Sequence, residues 1–240
     1  MSFFLPISAA QEAERLRALR PYKALEDVHS EVFGQVAQLT AKLFAAPMAQ
    51  VSLVDAEEVI YPGNVGEPPL ASRLAREDSI CAVAVYQPNT TTVFPDLRAQ
   101  PCQWVSPKAQ QDFAFYASHP IQTHEGQPIG SLCVLDKKPR VFSAEEQLVL
   151  QRMASLTMRL LDLELVALPA QAPALWAAIN ARIYLSLQRI ETLTALARWE
   201  MSPETATAQA YRASIQEERL LIVQDVEYEV SAAFARIAER

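Results

Sequence analysis

Two stretches limit the folds open to this chain more than any other: Phe115-Tyr116-Ala117-Ser118-His119-Pro120-Ile121 and Gly130-Ser131-Leu132-Cys133-Val134-Leu135-Asp136. Each is an apolar run of strand length, and between them lies the polar turn Thr123-His124-Glu125-Gly126. Two such runs joined by a short glycine-containing loop make a β-hairpin. Pro139-Arg140 and Phe142-Ser143 follow, and Ser143 with Glu146 forms a capping box, so a helix begins almost at once. In the second strand, Ile129, Ser131, Cys133 and Leu135 alternate with Gly130, Leu132 and Val134, and neither set carries a charge. A strand uncharged on both sides belongs to a sheet covered on both faces.

Upstream, Ser8 with Gln11 is a second capping box, and Glu12 and Glu14 suit a helix N-terminus. This first helix is expected to stop before Pro21. A second helix carries Leu25, Val28, Val32, Val36, Leu39 and Leu43 on one face and is closed by Pro47. Residues 51–55 and 59–61 read as two short strands joined by an acidic turn. Residues 62–112 are irregular, broken by Pro62, Gly63, Gly66, Pro68, Pro69, Pro88, Pro95, Pro101 and Pro107. Within them, residues 79–86 form a short helix and residues 91–94 a short strand. A long irregular segment in a compact domain is either a binding loop or a plain surface excursion.

The helix after Ser143 extends to about residue 168, with Val149, Met153, Leu156, Leu160 and Leu163 facing inward. Pro169-Ala170-Gln171-Ala172-Pro173 marks a boundary, which divides the chain into a domain at 1–168 and a helical extension at 169–240. The extension holds two helical patterns. One carries Trp176, Ile179, Ile183, Ile190, Leu193 and Ala197. The other starts at Ser202-Pro203-Glu204 and carries Tyr211, Ile215, Ile222, Val226, Val230, Ala233 and Ile237. Their short connection predicts an antiparallel αα-hairpin. Ile183, Ile190 and Ala197 recur at heptad spacing, so the hairpin either packs on its own domain or pairs with a second copy.

Composition excludes several function classes. The formal charge is −7 and no run of Lys or Arg occurs, so no nucleic-acid-binding stripe is present. No segment reaches the roughly 18 apolar residues of a membrane span, and Met1-Ser2-Phe3-Phe4-Leu5-Pro6 lacks the basic flank of a secretory signal. The three cysteines, Cys81, Cys102 and Cys133, are odd in number and irregularly spaced, which argues against a disulfide framework. The expected location is the cytoplasm. His29, His119 and His124 are not spaced as metal ligands, and no glycine-rich phosphate loop or Ser-His-Asp arrangement occurs. No metal or other cofactor is expected.

Residues 49–55, Ser79-Ile80-Cys81-Ala82, residues 93–96 and residues 115–142 together resemble the GAF family of small-ligand sensor domains, over roughly 12–165. The resemblance implies an α+β fold with an antiparallel sheet of about six strands. N- and C-terminal helices would cover one face, and loops over the other would enclose a ligand pocket. It implies a non-enzymatic regulatory module that binds an unidentified small molecule. The signal would pass through helix packing or oligomerisation, to a second copy as a homodimer or to a partner protein. The pocket would draw on Tyr61, Arg73, Ser79, Cys81, Asp96, Trp104, Phe113, Phe115, Tyr116 and Ser131. Aromatic walls with one arginine and several hydroxyls suit a small planar or anionic ligand. The alternative is a scaffold whose aromatics fill the core with no ligand.

The departures from the family pattern narrow the chemistry. Where many bacterial relatives carry an Arg-Phe pair, this chain has Cys102 and Trp104. Of the cyclic-nucleotide-binding signature only Lys137 and Phe142 are kept, and no cysteine precedes a histidine as in many bilin-binding relatives. Free methionine-R-sulfoxide reductases share the fold and use cysteines in segments comparable to those of Cys81 and Cys102. An enzymatic alternative therefore has Cys102 acting with Cys81, and Arg98 beside them, by thiolate attack on the sulfoxide. Their acidic substrate-binding segment is replaced here by Gln111-Asp112-Phe113, and their third cysteine has no equivalent. Cys133 occupies a strand position that is simply apolar in the family.

Overall fold

The computed structural model describes residues 7–23, 30–67, 71–99, 102–167, 169–199 and 205–239. Two compact units emerge, Met1–Leu165 and Val166–Arg240. The first is built on one antiparallel sheet whose strand order is β3-β2-β1-β6-β5-β4. Its strands are β1 (Met48–Val54), β2 (Glu58–Val65), β3 (Arg73–Ala75), β4 (Thr92–Phe94), β5 (Phe115–Gln122) and β6 (Pro128–Asp136). The two long hairpin strands expected from sequence are β5 and β6, paired Tyr116 to Leu135, Ser118 to Cys133 and Pro120 to Ser131. β1 lies against the other edge of β6, pairing Met48 with Leu135, Gln50 with Cys133 and Ser52 with Ser131. Every residue of β1 is buried, because both faces of the sheet are covered.

One face takes helices. The helix α2 (Ser30–Leu43) lies on β1 and β2, with Val32, Val36, Leu39 and Leu43 buried. It comes so close that a Cβ on Gly63 would sit 2.0 Å from the Phe33 carbonyl oxygen. The helix ends at Ala45, whose φ of 47° turns the chain out of the helical path. Leu25, Val28 and His29 lie outside the described residues. α4 (Ala144–Val166) begins at the expected capping box, in which the Ser143 amide donates to Glu146 at 2.9 Å and the Glu146 amide donates to the Ser143 hydroxyl at 3.2 Å.

α1 (Ala9–Lys23) does not stop before Pro21. A proline in the last turn removes only one helical hydrogen bond, and tertiary contacts beyond it hold the turn. The Tyr22 hydroxyl donates to the Asp162 carboxylate of α4 at 2.8 Å, and Lys23 pairs with Asp55. Further back, Arg15 is only 1 % exposed. Its guanidinium donates to both Glu12 carboxylate oxygens at 2.8 Å and to the Val54 carbonyl at 2.6 Å.

The opposite face is covered from within residues 71–99 and 102–113, above all by Ile80–Tyr86. This stretch is less irregular than its prolines imply. Arg73–Ala75 adds the short edge strand β3 and Pro107–Asp112 forms the helix α3. The expected helix at 79–86 is a 3-10 helix, Ile80–Tyr86, laid across β6, β5 and β1. Pro62 also sits inside a strand, where a bulge between β1 and β2 sets Tyr61 and Pro62 of β2 against Ser52 of β1.

The second unit consists of α5 (Ala172–Trp199) and α6 (Ala206–Ala238), packed on each other. Arg182 pairs with Glu229 while Arg189 pairs with Glu218 and Asp225, so the helices run antiparallel. Trp176, Ile179, Ile183, Ile190, Ile222, Val226, Val230 and Ala233 are buried as their spacing predicts. The Ser202-Pro203-Glu204 start signal and the side chains of Ala197 and Tyr211 fall outside the described residues.

Two variants test this arrangement. A Cβ at position 130 would lie 1.8 Å from the Ser52 carbonyl oxygen, so Gly130→Ala should destabilise by about 3 kcal/mol or more in denaturant unfolding. For Glu12, burial alone would raise the carboxyl pKa, but hydrogen bonds and charge from Arg15 and Arg76 outweigh it and bring the value from 4.5 to about 2. A lowered acid pKa means that this stability is complete above pH 4.5 and is lost as pH falls toward 2. Glu12→Gln should remove that acid slope, worth up to about 3 kcal/mol.

Candidate functional site

The pairing register sets a polar row into the covered face of the sheet. Asn64 of β2, Gln50 of β1, Cys133 of β6, Ser118 of β5 and Thr92 of β4 pair successively across five strands. Ser52 and Ser131 form the next row, with their hydroxyls 2.9 Å apart. Gln50, Ser52, Thr92, Ser118, Ser131 and Cys133 are all buried. Buried polar groups cost free energy unless they are hydrogen-bonded. Such a row in the middle of a core is the first sign of a site.

The cover presses its own polar groups onto this row. Ser79 caps the 3-10 helix by accepting from the Cys81 amide at 3.1 Å, and its hydroxyl bonds the Tyr61 hydroxyl at 2.6 Å. Cys81 thereby points at the sheet, its sulfur 3.4 Å from that of Cys133. Both thiols lie near the Gln50 side-chain carbonyl, at 3.7 and 3.9 Å. The thiols are inequivalent. A hydrogen bond from Cys133 pulls the Cys81 pKa below the usual thiol range, and burial pushes Cys133 well above it. Burial likewise raises the phenol pKa of Tyr61 and Tyr116, so both are neutral donors.

Among the described residues of this face, the hydroxyls of Tyr116, Ser118 and Thr92 make no well-formed hydrogen bond, although Ser118, Ser131 and Cys81 lie close to that of Tyr116. Tyr116 and Ser118 have no exposed surface at all. Aromatic rings close the rim. Phe94 stacks on Tyr116 with ring centres 6.1 Å apart, and Trp104 lies 5.5 Å from Tyr86. Trp104 and Phe113 pack against the cluster beside Cys102. Gln110 of α3 holds that loop, donating to the Cys102 carbonyl at 3.0 Å and the Val105 carbonyl at 2.7 Å.

Of the ten residues singled out from sequence, Tyr61, Ser79, Cys81, Tyr116 and Ser131 meet at this centre, and Trp104 and Phe113 pack at its margin. Three lie elsewhere. Arg73 is exposed on edge strand β3 and pairs with Glu58 at 3.0 Å. Asp96 caps its own turn by accepting from the amides of Arg98 and Ala99. Phe115 points to the other face of β5 and packs on Phe142, because strand parity puts it opposite Tyr116. The thiol in contact with Cys81 is that of Cys133, and Cys102 packs at the margin of the same cluster. Gln50, Ser52, Thr92, Ser118 and Cys133 were missed. Their signal was small polar residues at matching parity on neighbouring strands.

An open cleft of about 310 Å³ lies between β5 and α4, lined in part by His119, Gln122, Gln151, Ser155, Arg159 and Asp162. His119 bonds Thr91 at 2.9 Å, and burial lowers its pKa from 6.5 to about 4.

The sequence profile of the GAF domain matches residues 26–162, more than half the chain, and the chain belongs to that family. It is 31 % identical over 140 residues to the cyclic di-GMP phosphodiesterase PA2567 of Pseudomonas aeruginosa, covering 56 % of this chain. The match spans 23 % of that protein, so this chain corresponds to less than a quarter of its length. Among solved structures, the GAF domain of an Acinetobacter phosphoenolpyruvate-protein phosphotransferase is similar with a TM-score of 0.47 and 12 % identity, over 65 % of this chain and 95 % of that one. The free methionine-R-sulfoxide reductase of Neisseria meningitidis, in complex with its substrate, gives 0.46 and 17 %, over 68 % and 96 %.

Removing an unpartnered buried hydroxyl should stabilise the ligand-free protein. Tyr116→Phe is therefore expected to raise its stability by about 1 kcal/mol or more, read as a higher Tm. For His119, stability is expected to be complete above pH 6.5 and to fall as pH drops toward 4, because the unfolded chain takes up the proton first. His119→Gln should flatten the stability profile across that window.

Proposed function

We propose that this GAF domain is a non-enzymatic regulatory module whose small ligand enters between the sheet and the cover formed by the 3-10 helix and residues 102–113. The observation that carries this reading is the pair of unpartnered hydroxyls on Tyr116 and Ser118, both wholly buried on the covered face. A ligand that supplied hydrogen-bonding atoms there would recover the free energy their burial costs. The ring stack of Phe94 on Tyr116 favours a flat body, and the Ser and Gln groups favour a polar edge. No metal or other cofactor takes part, and the place of action is the cytoplasm.

A route outward starts at Arg76. It lies in the cover, with its guanidinium 6.0 Å from the Tyr86 ring centre, and it donates to Glu12 of α1. A ligand that displaces the cover bears on this bond and so on the N-terminal helix. Ligand binding shifts populations only through a difference in affinity between the two arrangements. The output passes to a second copy through α5 and α6, where Tyr184, Leu185, Leu221 and Tyr228 are exposed.

Native mass spectrometry of the purified chain tests the reading. The expected result is a dimer carrying a small mass that leaves on denaturation and is bound more weakly by Tyr116→Phe. A ligand-free monomer that no metabolite stabilises in thermal-shift screening would overturn it. In the enzymatic alternative, Cys102→Ser would abolish a thioredoxin-linked turnover of free methionine sulfoxide. We expect no such turnover in either form.

A further inference from the structure

The contact between Cys81 and Cys133 has a chemistry independent of any ligand. The two residues are 52 positions apart, both wholly buried, with sulfurs 3.4 Å apart. One belongs to β6 in the middle of the sheet and the other to the 3-10 helix of the cover. A disulfide has an S–S length of about 2.05 Å, so the sulfurs need only close by roughly 1.4 Å to bond. Their surroundings also divide the labour. Cys133 donates toward Cys81 and favours its thiolate, and burial keeps Cys133 protonated. The nucleophile is thus Cys81 and the resolving thiol Cys133.

We propose that Cys81 and Cys133 are a reversible thiol–disulfide pair, oxidised by a small hydroperoxide, that staples the cover to the central strand of the sheet. The Cys81 thiolate attacks the terminal oxygen of the hydroperoxide. The O–O bond breaks, the remaining alkoxide or hydroxide leaves with the proton that Cys81 released on forming its thiolate, and Cys81 becomes a sulfenic acid. The Cys133 sulfur then attacks the Cys81 sulfur. The S–O bond breaks, and the departing hydroxide takes the Cys133 proton and leaves as water. In sum, two thiols lose two electrons and two protons, and the hydroperoxide is reduced to water and an alcohol, or to two waters when it is hydrogen peroxide. A dithiol reductant reverses the change by exchange. Complete burial favours a small oxidant over a protein disulfide.

The test uses the full chain carrying Cys102→Ser, which removes the third and only half-buried thiol. It is treated with hydrogen peroxide, denatured in an alkylating agent, and read by intact mass and by non-reducing peptide mapping. The expected product is lighter by two hydrogen atoms, takes no alkyl group at either cysteine, yields one linked peptide joining Cys81 to Cys133, and reverts with dithiothreitol. In Cys133→Ser a dimedone adduct should form at Cys81. Full alkylation of both cysteines after exposure that oxidises an unstructured control thiol would overturn the proposal. So would sulfinic acid at Cys81 with no linked peptide. Because the linked peptide is scored without any ligand, failure here and failure of the ligand-binding reading are separate results.

Discussion

The buried guanidinium of Arg15 ties the first unit together. An arginine keeps its charge at any ordinary pH, so once it is taken out of water its neighbours must satisfy it. Glu12 supplies two carboxylate bonds and the end of β1 supplies the Val54 carbonyl. Glu12 in turn accepts from Arg76, which also donates to the Asp55 carbonyl. One charge thus connects the N-terminal helix, the rim of the sheet and the cover over its far face. Deleting a single partner would strand a buried charge, which costs far more than an exposed ion pair contributes.

The sheet itself was legible because its strands obey a simple rule. β5 and β6 are uncharged runs around a polar turn, and α4 opens with a capping box that the structure reproduces atom for atom. β3 was not legible: three exposed residues, two of them Arg73 and Ala75, carry no apolar alternation and pair only because β2 offers an edge. α3 was legible and overlooked, since Ser106 as cap and Pro107 in the first turn are a standard start signal. α1 passes through Pro21 because tertiary bonds from Tyr22 and Lys23 outweigh a local preference. The site was half legible. Tyr61, Ser79, Cys81, Tyr116 and Ser131 stand out by residue type. Phe115 was drawn in by its aromatic character although its parity sends it to the other face.

What the residue-by-residue reading lacked was register. Gln50, Cys133, Ser118 and Thr92 are unremarked singly, and they become a polar row only when four strands align. Such a row is expensive in a core that serves packing alone, where apolar residues of the same volume would do better. In this chain the face of the sheet under the 3-10 helix holds both the unpartnered hydroxyls and the paired thiols. The polar row and the thiol pair thus lie under the same 3-10 helix.

The close approach of α2 to β2 at Gly63 divides the helical layer into two mechanical classes. With the Phe33 carbonyl almost on the glycine's Cα, backbone rests on backbone and no layer of side chains remains to slide through. α2 therefore meets the sheet backbone to backbone, whereas α1 meets it through side chains, among them the buried Leu19 and Arg15.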